Sequence, residues 1–507
     1  MVVADIINWN ARRYPEKAAV VCGATRYTFK QLNNRVNSLI SALSDMGVGK
    51  GDRMAILADD CPQYMETYFA GAKGGIAIVP LNNRLGSNDL CYIVNNSEAN
   101  TLIFGENYLH VVDSIRPDLS TVRNFINIGA ASEGMKSYEG LVSSYPPNEP
   151  KVELGEGDLF CILYTSGTTG LPKGAMWTHK NMVAAVTGLV ITVQAAHDDI
   201  FLDLLPLFSV GSILMRLGYS YMGCTNVLVM KADLKSWLEA IEGERVTSCF
   251  LSPSLLSSFL EYPDIGKYDL ASLRLLWYGG GSLATEVLKR AIGFFGSIIL
   301  QVYGLTEGSL LTYLSREDHV LQGTEEKIRR LRSCGREVVN VEIRIIDEEG
   351  NEVAPGEVGE LIARGDNIVK GYWKLPGPTA DTFRGGYLYT SDLATRDEEG
   401  YIYFIGTPKI KIISGGEKVY SREVEDVIYA HPSVLETVVI GIPDDKLGES
   451  VKAIVVLKEG MKATEEEIIE FCKRSLASYA VPQSVEFIDK LPRTPSGKVL
   501  KRLLQSS

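Results

Sequence analysis

The chain has 507 residues, 45% of them hydrophobic and 22% charged, and 51 basic against 63 acidic side chains give a net charge of −12. These figures describe a globular protein of several domains with ample apolar material for a core, and they exclude a disordered chain, a collagen-like fibre and a disulfide mini-scaffold. A broad nucleic-acid-coating surface is disfavoured, because neutralising phosphates needs clustered Lys and Arg, while a small polyphosphate stays allowed if backbone N–H groups, a few lysines or a metal supply the charge locally.

The N-terminal stretch MVVADIINWNARRYPEKAAVV lacks the basic leader and long apolar run of a secretory signal. AAVVC (18–22) reads as a first buried strand. YTFKQLNNRVNSLISALSDMG (27–47) reads as a helix with apolar residues at 32, 36, 39, 40 and 43, ending at Gly47. MAILA (54–58), residues 76–81, TLIFG (101–105) and LFCILYT (159–165) are further buried strands. Such alternation of strands and helices implies parallel sheets covered by helices. The most apolar stretch, 201–230, is interrupted by Asp203, Pro206, Arg216 and several glycines. A spanning helix wants about 20 largely apolar residues, so this stretch is expected to be core and the protein cytoplasmic. The eight cysteines show no metal-knuckle spacing and are expected to be buried thiols of a reducing compartment.

From about residue 335 the texture changes. VVNVEIRIIDEEGNEV, GEVGELIARG and EEGYIYFIG combine alternating strands with turn signals, which predicts a small β-rich subdomain. The last hundred residues form a compact mixed unit, with strands at VLETVVIGIPD and ESVKAIVVLKEG and helices at EVEDVIYAHP and TEEEIIEFCKRSLASY (464–479). The predicted organisation is an N-terminal domain of 1–408 and a C-terminal domain of 409–507.

The sharpest feature is YTSGTTGLPKG (164–174), directly after a buried strand. Glycines let backbone N–H groups turn towards anionic oxygens, and Thr165, Ser166, Thr168 and Thr169 add donors. Gly167 and Gly170 supply the turns, and Lys173 a charge. The composition is that of a phosphate-gripping loop, although Pro-Lys-Gly replaces the Gly-Lys-Ser/Thr ending of the P-loop. A plain surface linker is the alternative, but the flanking buried strand and the fixed Pro-Lys-Gly make it the weaker one.

Further segments follow: QVYGLTE (301–307), GEL (359–361), KGYW (370–373), YLYTSD (387–392), SGG (414–416) with EVE (423–425), and PRTPSGK (492–498). In this order, and over nearly the whole chain, they resemble the adenylate-forming superfamily of acyl-CoA synthetases, peptide-synthetase adenylation domains and luciferases. The resemblance implies an α/β fold: a large N-terminal domain of two parallel-type α/β subdomains plus a small β-barrel-like subdomain, and a small mobile α+β C-terminal domain.

It also implies the site. The nucleotide would lie against the 164–174 loop, the turn at Gly280 and Gly281, and Gln301, Val302, Tyr303, Gly304, Leu305 and Thr306. Thr306 would donate to the α-phosphate, Glu307 would hold Mg²⁺, which prefers hard oxygens, and Asp392 would accept the ribose hydroxyls. Taken singly, Glu307 is a solvated acid and Asp392 a turn residue; their places in the motifs reverse that. Lys498 would swing in as the catalytic lysine, bridging carboxylate and α-phosphate oxygens where charge accumulates in the transition state. Lys409 would be the hinge, and Ser414, Gly415, Gly416 and Glu417 the face for CoA. Ser209, Val210 and Gly211, in LPLFSVG (205–211), would line the acyl pocket.

Two departures stand out. Thr407 occupies the place of an Arg that in the family contacts the nucleotide, and Ile410 replaces an acid; weaker nucleotide binding or altered domain rotation is expected. Ser209 stands where many relatives carry His or an aromatic residue, which would widen the acid tunnel. No Asp occupies the position that holds an amino-acid ammonium, so an amino-acid substrate is disfavoured. The segment SCFLSPSLLSSFL (248–260) resembles a wall of that pocket, and a core helix has the same composition. His179 is read as structural, and neither an H-E-x-x-H nor a G-x-S-x-G motif occurs.

The expected protein is an AMP-forming acyl-CoA synthetase with ATP and CoA as co-substrates and Mg²⁺ as cofactor. It would act on an apolar fatty, alicyclic or aromatic monocarboxylate, with no nucleic-acid partner and no integral membrane association; a homodimer is allowed. A luciferase-like adenylate oxidase, an enzyme loading a carrier protein and a non-catalytic nucleotide-binding homologue share these motifs and stay open.

Overall fold

The computed structural model describes the chain except residues 166–170, 232, 282, 407–410, 415–416, 445–446, 494–498, 500 and 506–507. Among the described residues, four sheets carry the architecture. A seven-stranded sheet runs in the order Lys136–Ser137, Asn124–Asn127, Thr101–Phe104, Arg53–Leu57, Ala77–Pro80, Leu159–Thr165 and Lys173–Thr178. Its strands are parallel except for the last pair. A nine-stranded sheet has a parallel centre of Leu275–Gly279, Ser248–Leu251, Ile200–Asp203 and Thr225–Leu228, with antiparallel strands at both edges.

Parallel strands covered on both faces need apolar residues throughout, and Leu275–Gly279 and Ser248–Leu251 are buried along their whole length. Alternate residues serve two different cores. Phe250, Trp277 and Val302 join the core between the two large sheets, with Ile56, Ile78, Leu163 and Trp177 from the facing sheet. Leu251, Leu276 and Tyr278 point the other way and pack under helices Leu234–Gly243, Pro253–Glu261 and Thr285–Phe295.

The helix expected over 27–47 spans Phe29–Asp45. It starts later because Thr28 and Gln31 form a capping box, which leaves Tyr27 and Thr28 to the strand Thr25–Thr28. The apolar stretch 201–230 is buried core, folded as strand Ile200–Asp203, helix Val210–Tyr221 and strand Thr225–Leu228. Among the described residues no helix is long and apolar enough to cross a membrane. All eight cysteines are free thiols.

A five-stranded antiparallel sheet, built on Glu342–Ile346, Gly359–Arg364 and Tyr387–Arg396, is the β-rich subdomain. The C-terminal unit centres on the hairpin Val434–Asp444 and Gly448–Leu457, with helix Ser421–Tyr429 and helix Glu465–Lys473 over one face. The latter helix stops well short of the expected Tyr479. Ala477 is extended, with ψ 147°, so only a separate single turn, Ser478–Ala480, forms beyond the helix.

Candidate active site

Strands Leu159–Thr165 and Lys173–Thr178 pair antiparallel from Thr165↔Lys173 outwards, so the glycine- and hydroxyl-rich segment is the connection between them. Thr165 and Lys173 are its described ends; the expected ligands Ser166, Gly167, Thr168, Thr169 and Gly170 lie outside the described residues. The second strand is pinned from its other side by the segment around Tyr372. Met176 N donates to Gly371 O at 2.9 Å and Trp373 N to Gly174 O at 2.7 Å, and Ala175 bridges antiparallel to Tyr372.

The same face receives the hairpin Ile299–Leu305 and Ser309–Leu314, whose turn carries Thr306 and Glu307. A Cβ on Gly304 would lie 1.7 Å from Ser309 O, so only glycine lets the two strands approach there. Ser309 closes the turn at φ 53°, a left-handed backbone that costs a non-glycine residue of order 1–3 kcal/mol. Trp177 Nε1 donates to Thr306 O at 3.2 Å, and Val369 N donates to Glu307 O at 2.8 Å. Two long-range contacts thus fix the turn against the base of the 164–174 segment.

Tyr372 completes this corner. Its hydroxyl donates to Glu307 Oε1 at 2.6 Å, and Lys173 Nζ stands 5.2 Å from its ring centroid. Burial pushes the phenol pKa well above the usual tyrosine value, and the Glu307 carboxylate adds to the shift. The donor type fits Mg²⁺: Glu307 would offer a hard carboxylate oxygen of the kind that ion takes together with phosphate and water, while its Oε1 accepts from Tyr372. Among the described residues no group of three or more His, Cys, Asp or Glu forms an all-protein cage.

Asp392 reaches the site from strand Tyr387–Arg396 and is 9% exposed. Tyr303 donates its hydroxyl to Asp392 Oδ2 at 2.5 Å, and Asp392 N donates to Thr390 Oγ1 at 3.0 Å. Ser391, just before it, sits at φ 58°, so both candidate acids neighbour a strained serine. Burial, then the Asp392 charge, raises the Tyr303 pKa well above its ordinary value. The Phe404 ring lies 6.4 Å from Tyr303, and Arg422 of the C-terminal unit stands 5.8 Å from the Phe404 centroid.

Gly280 is exposed, with φ 79° that an L side chain rarely adopts, and Gly281 follows it at the end of strand Leu275–Gly279. Gln301 and Val302 precede Tyr303 on strand Ile299–Leu305. Both are buried within the sheet, Val302 in the core between the two large sheets. Leu305 packs on that same core with Tyr303.

Ser209 caps helix Val210–Tyr221: its Oγ accepts from Ser212 N and donates to Pro206 O at 2.9 Å. Leu205 lies 3.2 Å from where a Gly211 Cβ would stand. Beneath this loop lies a cluster that motif reading missed. Asp203 Oδ1 accepts from Leu205 N at 2.8 Å and Asp60 Oδ1 from Leu207 N at 2.9 Å. The buried guanidinium of Arg216 faces both acids, 3.7 Å from Asp203 Oδ2 and 4.0 Å from Asp60 Oδ2. Burial pushes the Asp203 carboxyl up to about 6, with Arg216 pulling it back down. The signal was present as two opposite charges inside an apolar run, since such charges are rarely fully buried unless paired.

In the C-terminal unit, Ser414 is buried and pairs with exposed Glu417 and with Gly448; Gly415 and Gly416 lie outside the described residues, as do Thr407, Lys409 and Lys498. Residues flanking Lys498 are anchored. Arg493 forms an ion pair with Glu436 at 2.5 Å and an antiparallel bridge with Val499, and Lys501 donates to Glu425 Oε1 at 2.8 Å.

Comparison with known proteins gives the family. The family model described as AMP-binding enzyme matches residues 7–373, and that of the AMP-binding enzyme C-terminal domain matches residues 423–498. A feruloyl-CoA synthase of Amycolatopsis sp is 35% identical over 496 residues, covering 97% of this chain and 96% of its own. The long-chain-fatty-acid–CoA ligase FadD13 of Mycobacterium tuberculosis is 32% identical over 487 residues, covering 95% and 93%. The crystal structure of the anthranilate CoA ligase AuaEII with anthranoyl-AMP superposes with a TM-score of 0.92 at 26% identity, over 100% of this chain and 97% of that one. The chain belongs to the AMP-binding enzyme family, within its AMP-forming acyl-CoA synthetases and ligases, and is an acid–thiol ligase.

Proposed function

We propose that the chain activates an apolar monocarboxylate and passes it to CoA through an acyl-adenylate. A carboxylate oxygen attacks the α-phosphorus of ATP, the bond to the bridging oxygen breaks, and pyrophosphate leaves. The CoA sulfur then attacks the acyl carbon and AMP departs. The observation that carries this reading is the junction of Gly174–Trp177 with residues 370–373, which sets Lys173, Thr306, Glu307 and Tyr372 around one corner.

In this reading Lys173 and the 165–170 segment hold the phosphates, Thr306 faces the α-phosphate and Asp392 accepts the ribose hydroxyls. Mg²⁺ held at Glu307 would offset polyphosphate charge. Lys498 stabilises the charge that builds up in adenylate formation, and residues 409–507 turn about Lys409 to present Ser414–Glu417 to CoA. Support for an apolar acid comes from the acyl loop: the Ser209 hydroxyl is spent within its own chain, and Leu205, Val210 and Leu305 pack against the apolar core beside it.

The test is a carboxylate panel of hydroxycinnamate, benzoate-type and medium- to long-chain fatty acids, scored for AMP release that depends on both ATP and CoA. Apolar acids are expected to turn over and amino acids to fail. Activity confined to a phosphopantetheinylated carrier in place of CoA would refute the acceptor, and no pyrophosphate exchange with any acid would refute catalysis altogether.

A further inference from the structure

Tyr372 is 5% exposed and touches two groups of opposite charge at once, Glu307 through its hydroxyl and Lys173 through its ring. Its position is fixed from three sides. The backbone bridges to Ala175, its N–H donates to Thr379 Oγ1 at 2.9 Å, and Phe383 meets its ring edge-on at 5.7 Å. Among the described residues, neither Lys173 nor Glu307 forms a salt bridge. An ammonium and a carboxylate held at one corner attract each other strongly where water is partly excluded, and once paired each would lose its value to a ligand.

We propose that Tyr372 is a charge spacer: it keeps Lys173 and Glu307 apart so that both remain free for the polyphosphate and its metal. The ring holds the ammonium over its negative face, within the roughly 6 Å reach of a cation–π contact. The hydroxyl occupies one carboxylate oxygen of Glu307 and leaves the other for the cation. Tyr372 is thus a positioning residue that acts through its two neighbours, and the inference rests on the roles given to Lys173 and Glu307 under the proposed function.

The experiment is calorimetric binding of ATP to the full chain without carboxylate substrate, titrated with and without magnesium. The variants are Tyr372→Phe and Tyr372→Leu, each in the native and the Glu307→Gln background. Tyr372→Phe keeps the spacer ring and loses the hydroxyl; it should raise the half-saturating magnesium concentration roughly tenfold and leave metal-free ATP affinity nearly unchanged. Tyr372→Leu lets Lys173 fall onto Glu307, so ATP affinity should drop roughly tenfold with Glu307 present and far less in the Glu307→Gln background.

Equal losses from Tyr372→Leu in both backgrounds would overturn the spacer and leave a packing role. If the Leu variant fails to fold, an unchanged magnesium requirement in Tyr372→Phe overturns it instead. A wild-type protein whose ATP affinity ignores magnesium would overturn the role of Glu307 itself, an outcome distinguishable from failure of the spacer alone.

Discussion

Replacing Arg216 by Met keeps the reach of the side chain and removes the cation between two buried carboxylates. The guanidinium is 1% exposed, donates to Asp203 O at 3.0 Å and Val227 O at 3.2 Å, and faces the carboxylates of Asp203 and Asp60. Breaking a buried pair from one side costs about 3–5 kcal/mol. Both acids are already raised by burial, Asp203 from 3.8 to about 6. A carboxyl whose folded pKa lies above its unfolded one burdens the fold at neutral pH, and the burden lifts as pH falls through the folded pKa. For Asp203 that burden is about 3 kcal/mol at pH 7, and it grows once Arg216 no longer pulls the pKa down. Thermal unfolding of the full chain at pH 7.5 and pH 5 measures it. At about 2.1 cal/mol/K of unfolding entropy per residue, a loss of about 3–5 kcal/mol in Arg216→Met should lower the Tm by roughly 3–6 °C at pH 7.5, and by visibly less at pH 5. Because the two acids hold Leu205 N and Leu207 N, the variant should also raise the KM for the carboxylic acid and spare that for ATP. A Tm gap that stays constant or widens towards pH 5 refutes the reasoning.

Asp392→Asn should weaken ATP binding roughly tenfold, the worth of a charged hydrogen-bond acceptor, when titrated calorimetrically. Lys498→Ala should slow adenylate formation by about 10²–10³ in pyrophosphate exchange, while thioester formation from preformed acyl-adenylate stays near wild type. His179 is buried against Phe160, accepts from Val3 N, and has its pKa pushed down to about 4, burial being the main cause. The unfolded chain takes up the proton first, so stability is full above about pH 6.5 and falls towards pH 4, by roughly 3 kcal/mol. His179→Asn should flatten that slope in thermal melts across the interval, leaving the part due to His319, which is lowered in the same way.

The strands were legible because burial on both faces leaves no room for polar residues: TLIFG and LFCILYT appear as Thr101–Phe104 and Leu159–Thr165. Helix ends were less so. The Thr28 capping box and the extended Ala477 shift boundaries that apolar spacing alone cannot fix. At the site, ordered motifs pointed to Lys173, Tyr303, Thr306, Glu307 and Asp392; in the structure Tyr372 touches both Lys173 and Glu307, Trp177 holds the Thr306 backbone, and Tyr303 pairs with Asp392. Spacing along the chain says nothing of which strand will lie beside which, so the double contact of Tyr372 was invisible until residues 370–373 were seen paired with 174–177. Gln301 and Val302, expected at the nucleotide, are both buried. They are consecutive in a buried strand and so point to opposite faces, Val302 into the core between the two large sheets and Gln301 to the face it shares with Tyr303.

The C-terminal unit meets the nucleotide wall through a short relay: Asp392 to the Tyr303 hydroxyl, the Tyr303 ring beside Phe404, and Phe404 under Arg422 of helix Ser421–Tyr429. A cation–π contact is worth about 0.5–1 kcal/mol when exposed and about 2 kcal/mol when desolvated, less than a buried ion pair broken from one side. A unit proposed to turn between two half-reactions needs a contact of that size, since each strong bond made in one orientation must be surrendered to reach the other. In the proposed function a ribose at Asp392 would share this carboxylate with the Tyr303 hydroxyl, so filling and emptying the nucleotide site would act at the first link of this relay. A carboxylate shared in this way would let the state of the ligand bias the position of the domain.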